Sequence, residues 1–200
     1  MQFHDRPLAP EALDQIFNEA RSYNGWLDKD VTVAQIEAIH DLMKMGPTSA
    51  NMQPARIVWV KSPDAKEKLA ECVMEGNRQK VLTAPVTALI AYDIDFHEQL
   101  PWLFPHTDAR SWFAGDEAAR EEGAFRNSSL QGAYLMIAAR ALGLDCGPMS
   151  GFNADAVNAA FFADQPRHRI NFICAVGYGD PASIFGRSPR PDFATFDSIV

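Results

Sequence analysis

The sequence is poor in cysteine and in positive charge. It has 3 cysteines without C-x-x-C spacing, which argues against a disulfide framework and against a zinc knuckle. Its 18 Lys and Arg against 26 Asp and Glu give a net charge of −8, and such a chain repels the phosphates of nucleic acids. We therefore expect buried thiols and no DNA or RNA partner.

Long apolar runs are also missing. A membrane span needs roughly 18 or more consecutive apolar residues, but the most apolar helical stretch, 133–144, is interrupted by Arg140. The segment from Met1 to Arg6 is followed by Pro7 and not by an apolar core, so it does not resemble an export signal. These features predict a cytoplasmic protein with no membrane partner.

The chain contains no repeat and no low-complexity linker, so we expect a single domain over residues 1–200. Short apolar runs at 57–60, 86–92 and 170–176 predict three buried strands. Helical patterns lie between these runs, and one helix opens with a Thr32-x-x-Gln35 capping box. Strands scattered among helices predict an α+β fold, with helices on both faces of a sheet.

A long helix is predicted from Asp116 to the terminating Gly143. At about 26 residues it could cross a whole domain of this size. One of its faces, which is either a core face or a dimer seam, carries Leu130, Ala133, Tyr134, Ile137, Ala138 and Ala141.

Several standard motifs fail on their context. The G-x-G-x-x-A string at 177–182 lacks the helix, strand and acidic residue of a dinucleotide fingerprint, so we interpret it as a strand end and a turn. Ser150 lacks the flanking glycines of a hydrolase elbow. No metal-ligand spacing occurs, so no metal is expected, His97 is interpreted as a surface histidine and His40 as a partly buried one.

Polar clusters mark the places where turns meet the ends of elements. They are R-S-Y-N at 21–24, P-T-S-A-N-M-Q-P at 47–54, N-R-Q-K at 77–80 and G-P-M-S-G at 147–151, with Arg187 and Arg190 near the C-terminus. Each has a plain explanation as a cap or a turn. Together they supply the guanidinium groups, amides and one cation, Lys80, that flavin mononucleotide (FMN) requires.

The order and spacing of these clusters resembles the FMN-dependent nitroreductase family over nearly all 200 residues. Longer strings are similar to the malonic semialdehyde reductases of pyrimidine catabolism within that family. They are N-G-W at 24–26, G-P-T-S-A-N at 46–51, F-P-H at 104–106, D-A-R-S-W-F at 108–113, F-R-N-S-S at 125–129 and G-P-M-S-G-F at 147–152.

The resemblance implies a three-layer fold with a central, mostly antiparallel sheet and a long helix at a homodimer interface, where FMN binds. It assigns the phosphate to Arg21, Ser22 and Arg187. Asn24 replaces a basic residue usual in the family, and Arg190 is a candidate substitute. The ring edge is assigned to Asn77 and Lys80, Pro148 is a further cofactor-binding residue, and Ser49, Asn51 and Gln53 line the ring from the neighbouring subunit. Ser150 and Gly151 are catalytic candidates, because a backbone N–H of this glycine-containing turn can reach the flavin N5 atom.

The same resemblance implies that hydride passes from NADH or NADPH through the flavin to a small carbonyl acceptor, malonic semialdehyde. The aromatic loop 101–115 suggests that Arg110 binds the acceptor's carboxylate and that Trp112 excludes water. His106 is the candidate proton donor. Two alternatives remain open: a general nitro or quinone reductase, and a flavin-binding dimer without enzymatic activity.

Overall fold

Four antiparallel strands form the centre of the structure, a computed structural model that describes residues 6–200. The order across the sheet is β1-β2-β4-β3. The bounds are β1 Ala55–Val60, β2 Val86–Asp93, β3 Asp145–Met149 and β4 His168–Gly177. The export-signal interpretation depends mainly on residues 1–5, which lie outside the described residues.

Eight α-helices are found within residues 6–200. They are α1 Pro10–Leu13, α2 Val33–Met43, α3 Pro63–Ala70, α4 Glu75–Thr83, α5 Leu100–Leu103, α6 Glu117–Ala141, α7 Ala154–Phe161 and α8 Phe193–Phe196. A π-helical turn, Asp14–Asn18, continues α1. In this described part of the chain, no helix is both long and apolar enough to cross a bilayer.

The predicted helix boundaries follow from local capping. The Thr32 hydroxyl accepts from the Gln35 amide at 3.3 Å while the Gln35 side chain accepts from the Thr32 amide at 3.0 Å, which is the predicted capping box. Asp116 caps α6, and Gly143 follows this 25-residue helix with φ of +76°. The long helix is therefore confirmed, and its end requires the conformational freedom of glycine.

Helices cover both faces of the sheet. On one face, Ala88 and Ile90 of β2 pack with Ile39 of α2 and Leu135 of α6. On the other face, the alternate residues of β2 pack with α3, α4 and α7. Burial on both faces explains why β2 is an almost continuous apolar run, and it confirms the predicted α+β, three-layer arrangement.

One prediction about these elements is wrong. The sequence indicated three strands, but residues 145–149, interpreted as part of a polar turn, form the edge strand β3 beside β4. An edge position tolerates Pro148, which has no amide to donate. The sequence left the 130–141 face of α6 open as a core face or a dimer seam. In the structure Leu130 and Ala141 are exposed, whereas the core contacts of α6 include Ala124, Gln131 and Leu135.

Two histidine assignments are also wrong. His97 is buried, and His40 on α2 is exposed. The three cysteines are free and buried, as predicted. Beyond Gly177, a 3-10 turn at Pro181–Ser183 confirms the interpretation of the G-x-G-x-x-A string as a strand end and a turn.

Candidate active site

The N-terminal and C-terminal segments lie side by side near the end of β3. The backbone of Ser22 forms a parallel bridge with Cys146. The Asn24 side chain donates to the Ser183 carbonyl at 3.0 Å, and the Asp180 amide donates to the Gly25 carbonyl at 3.0 Å. These contacts bring the two polar segments together although more than 150 residues separate them.

The two segments enclose a cavity of ≈ 430 Å³, which we call the arginine cavity. All five residues that the sequence associated with the phosphate end line it, namely Arg21, Ser22, Asn24, Arg187 and Arg190. The other lining residues are Phe17, Ala20, Arg140, Phe185, Gly186 and Ser188.

The guanidinium groups of this cavity bond to carbonyl oxygens and not to carboxylates. Arg21 donates to the Phe185 carbonyl, Arg187 to the Ala20 carbonyl at 3.3 Å, and Arg190 to the Ser188 carbonyl at 3.1 Å. Within residues 6–200, none of the cavity's four arginines forms an ion pair, whereas five other arginines of the chain do. Uncompensated positive charge in a chain of net charge −8 indicates an anion site.

Arg140 is a lining residue that sequence reasoning missed. It lies in the last turn of α6, and its Nη1 donates to the Ile16 carbonyl at 3.1 Å. The available signal was a lone arginine in an otherwise apolar stretch, which we used only to exclude a membrane span. Its neighbours in the cavity come from distant parts of the chain, so no local pattern identifies it.

A second group of predicted residues meets where α4 approaches the end of β3. The Asn77 side-chain amide donates to the Gly151 carbonyl at 3.0 Å, and the Met74 amide donates to the same oxygen at 2.9 Å. The Gly151 amide itself donates no hydrogen bond within residues 6–200. A Cβ at Gly151 would lie 2.6 Å from the Asn77 Nδ2 atom, so only glycine fits here without a shift.

Lys80, Pro148 and Ser150 belong to the same elements. Lys80 lies on α4 three residues after Asn77 and therefore shares its helix face. Its amine forms no ion pair among the described residues. Pro148 is exposed on β3, and Ser150 follows the strand.

The loop that contains Ser49, Asn51 and Gln53 is strained. Ala50, Asn51 and Gln53 have φ values of 48°, 48° and 40°, a region that non-glycine residues rarely adopt. Two side chains of α6 hold the loop: the Asn127 Oδ1 atom accepts from the Ser49 amide at 2.8 Å, and Gln131 donates to the Gln53 Oε1 atom at 2.7 Å. Strain maintained by buried partners is typical of functional sites.

This loop does not reach the arginine cavity. Asn51 and Gln53 line a different cavity of ≈ 430 Å³, which also includes Trp102 and Gln131. Within one chain, the predicted cofactor residues are thus divided among three places: the arginine cavity, the contact between Asn77 and Gly151, and this loop.

The aromatic loop carries the three remaining predicted residues. Arg110 forms a bidentate ion pair with Glu98, with Nε–Oε2 and Nη2–Oε1 distances of 2.8 and 2.6 Å. The Arg110 guanidinium lowers the pKa of the Glu98 carboxyl. Phe104 packs edge-on against His106 and at a tilt to Trp112, with ring centroids 5.2 and 6.1 Å apart.

His97 lies beneath this loop. Its Nε2 atom is 3.3 Å from Glu98 Oε1, and its buried Nδ1 atom has no partner among the described residues. Burial lowers the pKa of His97, and the positive charge of Arg120 lowers it further. The histidine is therefore held in its neutral form near neutral pH.

Comparison with known proteins identifies the family. The sequence profile of the nitroreductase family matches residues 2–178. The chain belongs to the nitroreductase family. This nitroreductase-family protein is 57% identical over 186 residues to a Ralstonia nicotianae protein and 59% identical over 186 residues to a Burkholderia lata protein. Each alignment covers 93% of this chain and 95% of the relative. Both relatives carry the provisional name NADH dehydrogenase/NAD(P)H nitroreductase.

Solved structures share the fold of this nitroreductase-family protein. A provisionally named nitroreductase from Bacillus subtilis superposes with a TM-score of 0.84 at 22% identity, covering 95% of this chain and 99% of that one. Another from Exiguobacterium sibiricum, solved in complex with FMN, gives a TM-score of 0.83 at 21% identity, covering 97% and 99%. At these identities the likeness establishes the fold.

Proposed function

We propose that this nitroreductase-family protein binds FMN and reduces a small carbonyl compound, malonic semialdehyde, to 3-hydroxypropionate with NADH or NADPH. The observation that carries the flavin assignment is the arginine cavity. Its guanidinium groups have no carboxylate partners among residues 6–200, as a site for a dianionic phosphate requires. The close approach at Gly151, where a Cβ would meet Asn77, also suits a flat ring lying against the backbone.

Arg21, Ser22, Arg187 and Arg190 are proposed to hold the phosphate, with Asn24 supporting the segment through Ser183. Asn77 and Lys80 are proposed to contact the ring edge, and the free amide of Gly151 provides a backbone donor at the ring. When bound, FMN accepts hydride from a nicotinamide cofactor and passes it to a second substrate.

The protein's own residues provide the rest of the chemistry. In our proposal, Arg110 binds the carboxylate of the acceptor, sharing its guanidinium with Glu98, and Trp112 with its aromatic neighbours excludes water. Reduction of the aldehyde leaves an alkoxide oxygen that must receive a proton. His106, exposed on the same loop, is the proposed donor.

We also propose a homodimer with FMN at the subunit interface. The loop of Asn51 and Gln53 and the arginine cavity are separate within one chain, so a flavin that touches both needs a second copy. Exposed Phe125 and Leu130 on α6 provide apolar surface for such contact. We expect light scattering to give twice the mass of the 22.1 kDa chain. We propose that the protein acts in the cytoplasm.

An anaerobic absorbance titration tests the proposed reaction. The FMN-loaded protein is titrated with NADH and with NADPH, and malonic semialdehyde is then added. Loss of flavin absorbance and its recovery on adding the aldehyde are expected. Failure of the protein to bind FMN would overturn the proposal.

A second candidate function is the reduction of nitro compounds, because the relatives are named NAD(P)H nitroreductases. In the same titration, recovery with a nitroaromatic compound but not with the aldehyde would favour this alternative. The ratio of kcat/KM values for the two acceptors then decides between them.

A further inference from the structure

Arg140 has hydrogen-bonding capacity that the protein itself does not use. Its Nη1 atom donates to the Ile16 carbonyl, but its Nε atom is buried without a partner among residues 6–200. A buried donor without a partner costs free energy unless a ligand or water satisfies it. The arginine side chain also lines the arginine cavity.

Arg140 is held firmly in this position. Its carbonyl accepts from the Gln15 side chain at 2.6 Å, so the π-helical turn after α1 contacts both the backbone and the side chain of this residue. An arginine at a helix C-terminus ordinarily interacts with the helix dipole while its charged group is in water. Arg140 departs from that pattern, because its Nε is buried without a partner among residues 6–200 while its side chain lines the arginine cavity.

The charge around the cavity also requires explanation. Four arginines line it, and none of them has a carboxylate partner in the described part of the chain. Four guanidinium groups around one cavity repel each other unless an anion lies between them. A phosphate monoester, with two negative charges and three terminal oxygens, matches this arrangement.

We infer that Arg140 is a further phosphate-binding residue, which makes the site select flavin bearing a terminal phosphate over flavin without one. This inference rests on the proposed function, because it assumes that FMN is the ligand. It adds a residue from the end of α6 to the two terminal segments that the sequence indicated.

Flavin binding measured by fluorescence quenching tests the inference on the full-length protein after removal of flavin. Wild-type protein is expected to bind FMN more tightly than riboflavin, which lacks the phosphate. Arg140→Gln is expected to weaken FMN binding by roughly 10- to 100-fold, the value of a charge-assisted hydrogen bond, and to leave riboflavin binding unchanged. Arg140→Lys retains the charge and should recover part of the lost FMN affinity.

Arg126→Gln is the matched control. Arg126 lies on the same helix and pairs with Glu122 on the surface, so this variant removes one positive charge away from the cavity. Arg126→Gln should bind FMN and riboflavin with the same affinities as the wild type. Inorganic phosphate should also raise the melting temperature of flavin-free wild-type protein and of Arg126→Gln by more than that of Arg140→Gln.

The outcomes separate the two claims. Unchanged FMN affinity in Arg140→Gln, or an equal loss of FMN and riboflavin affinity, overturns the role of Arg140 and leaves the proposed function standing. No recovery in Arg140→Lys contradicts the role of its charge. Wild-type protein that fails to bind FMN overturns the proposed function and this inference together.

Discussion

The side chain of Asn77 and the backbone of Gly151 are in direct contact, with 3.0 Å between the amide nitrogen and the carbonyl oxygen. A Cβ at residue 151 would come within 2.6 Å of the same nitrogen. Gly151→Ala should therefore displace Asn77 and weaken FMN binding about tenfold, the value of one lost hydrogen bond. The dissociation constant measured by fluorescence quenching tests this expectation.

Gly76→Ala is a suitable control, because a Cβ at Gly76 meets no atom within 4 Å and this residue is also on α4. Its FMN affinity should equal that of the wild type. Equal affinities in both variants would contradict the assignment of Asn77 to the ring edge.

The ion pair between Arg110 and Glu98 predicts opposite effects for two substitutions. Arg110→Ala should raise the KM for malonic semialdehyde, because its carboxylate loses a partner. Glu98→Gln should lower that KM about two- to fivefold, because it releases an exposed guanidinium from a competing carboxylate. Steady-state kinetics with the semialdehyde and with a neutral nitroaromatic compound would show whether the effect is specific to an anionic acceptor.

Glu122→Gln is the control for this pair, because Glu122 forms an exposed ion pair with Arg126 on α6, away from the aromatic loop. Glu122→Gln should leave the KM for malonic semialdehyde and the KM for the nitroaromatic compound unchanged. If Arg110→Ala has wild-type kinetics on the semialdehyde, Arg110 has no part in substrate binding.

His97 makes the stability depend on pH. Burial and the charge of Arg120 lower its pKa in the folded protein, so the unfolded chain binds more protons as the pH falls below about 6.5. The contribution of His97 to stability is therefore present above that pH and is lost on acidification. Between pH 7.5 and pH 5.5, the melting temperature of His97→Leu should fall by less than that of the wild type.

If His97→Leu and the wild type lose the same stability on acidification, other groups are responsible.

Two glycines of α6 should respond oppositely to alanine. A Cβ at Gly132 would lie 2.3 Å from the Phe172 Cζ atom, so Gly132→Ala should lower the free energy of unfolding by about 1–3 kcal/mol. A Cβ at Gly123 would lie 3.9 Å from the Met52 Cε atom, an ordinary contact, so Gly123→Ala should raise stability by about 0.5–1 kcal/mol. Urea denaturation of both variants measures these changes. A Gly132→Ala protein with the wild-type free energy of unfolding would contradict the close packing of Phe172 against Gly132.

Elements whose signals are local are predictable from the sequence alone. The capping box at Thr32 and Gln35 marks the start of α2, and Gly143 marks the end of α6. Continuous apolar runs revealed β1, β2 and β4 because both faces of the sheet are covered. The polar segment at 21–24 and the arginines near the C-terminus were recognisable because their residue types are characteristic of phosphate binding.

Features that depend on contacts between distant segments become visible only in the folded chain. Strand β3 contains glycine and proline and shows no strand pattern, so its pairing with β4 identifies it. The sequence left open which face of α6 is buried, because a long helix with small residues has several similar faces. Arg140 looked like an interruption of an apolar stretch until the two terminal segments enclosed it, since a cavity is formed by side chains that the sequence keeps far apart.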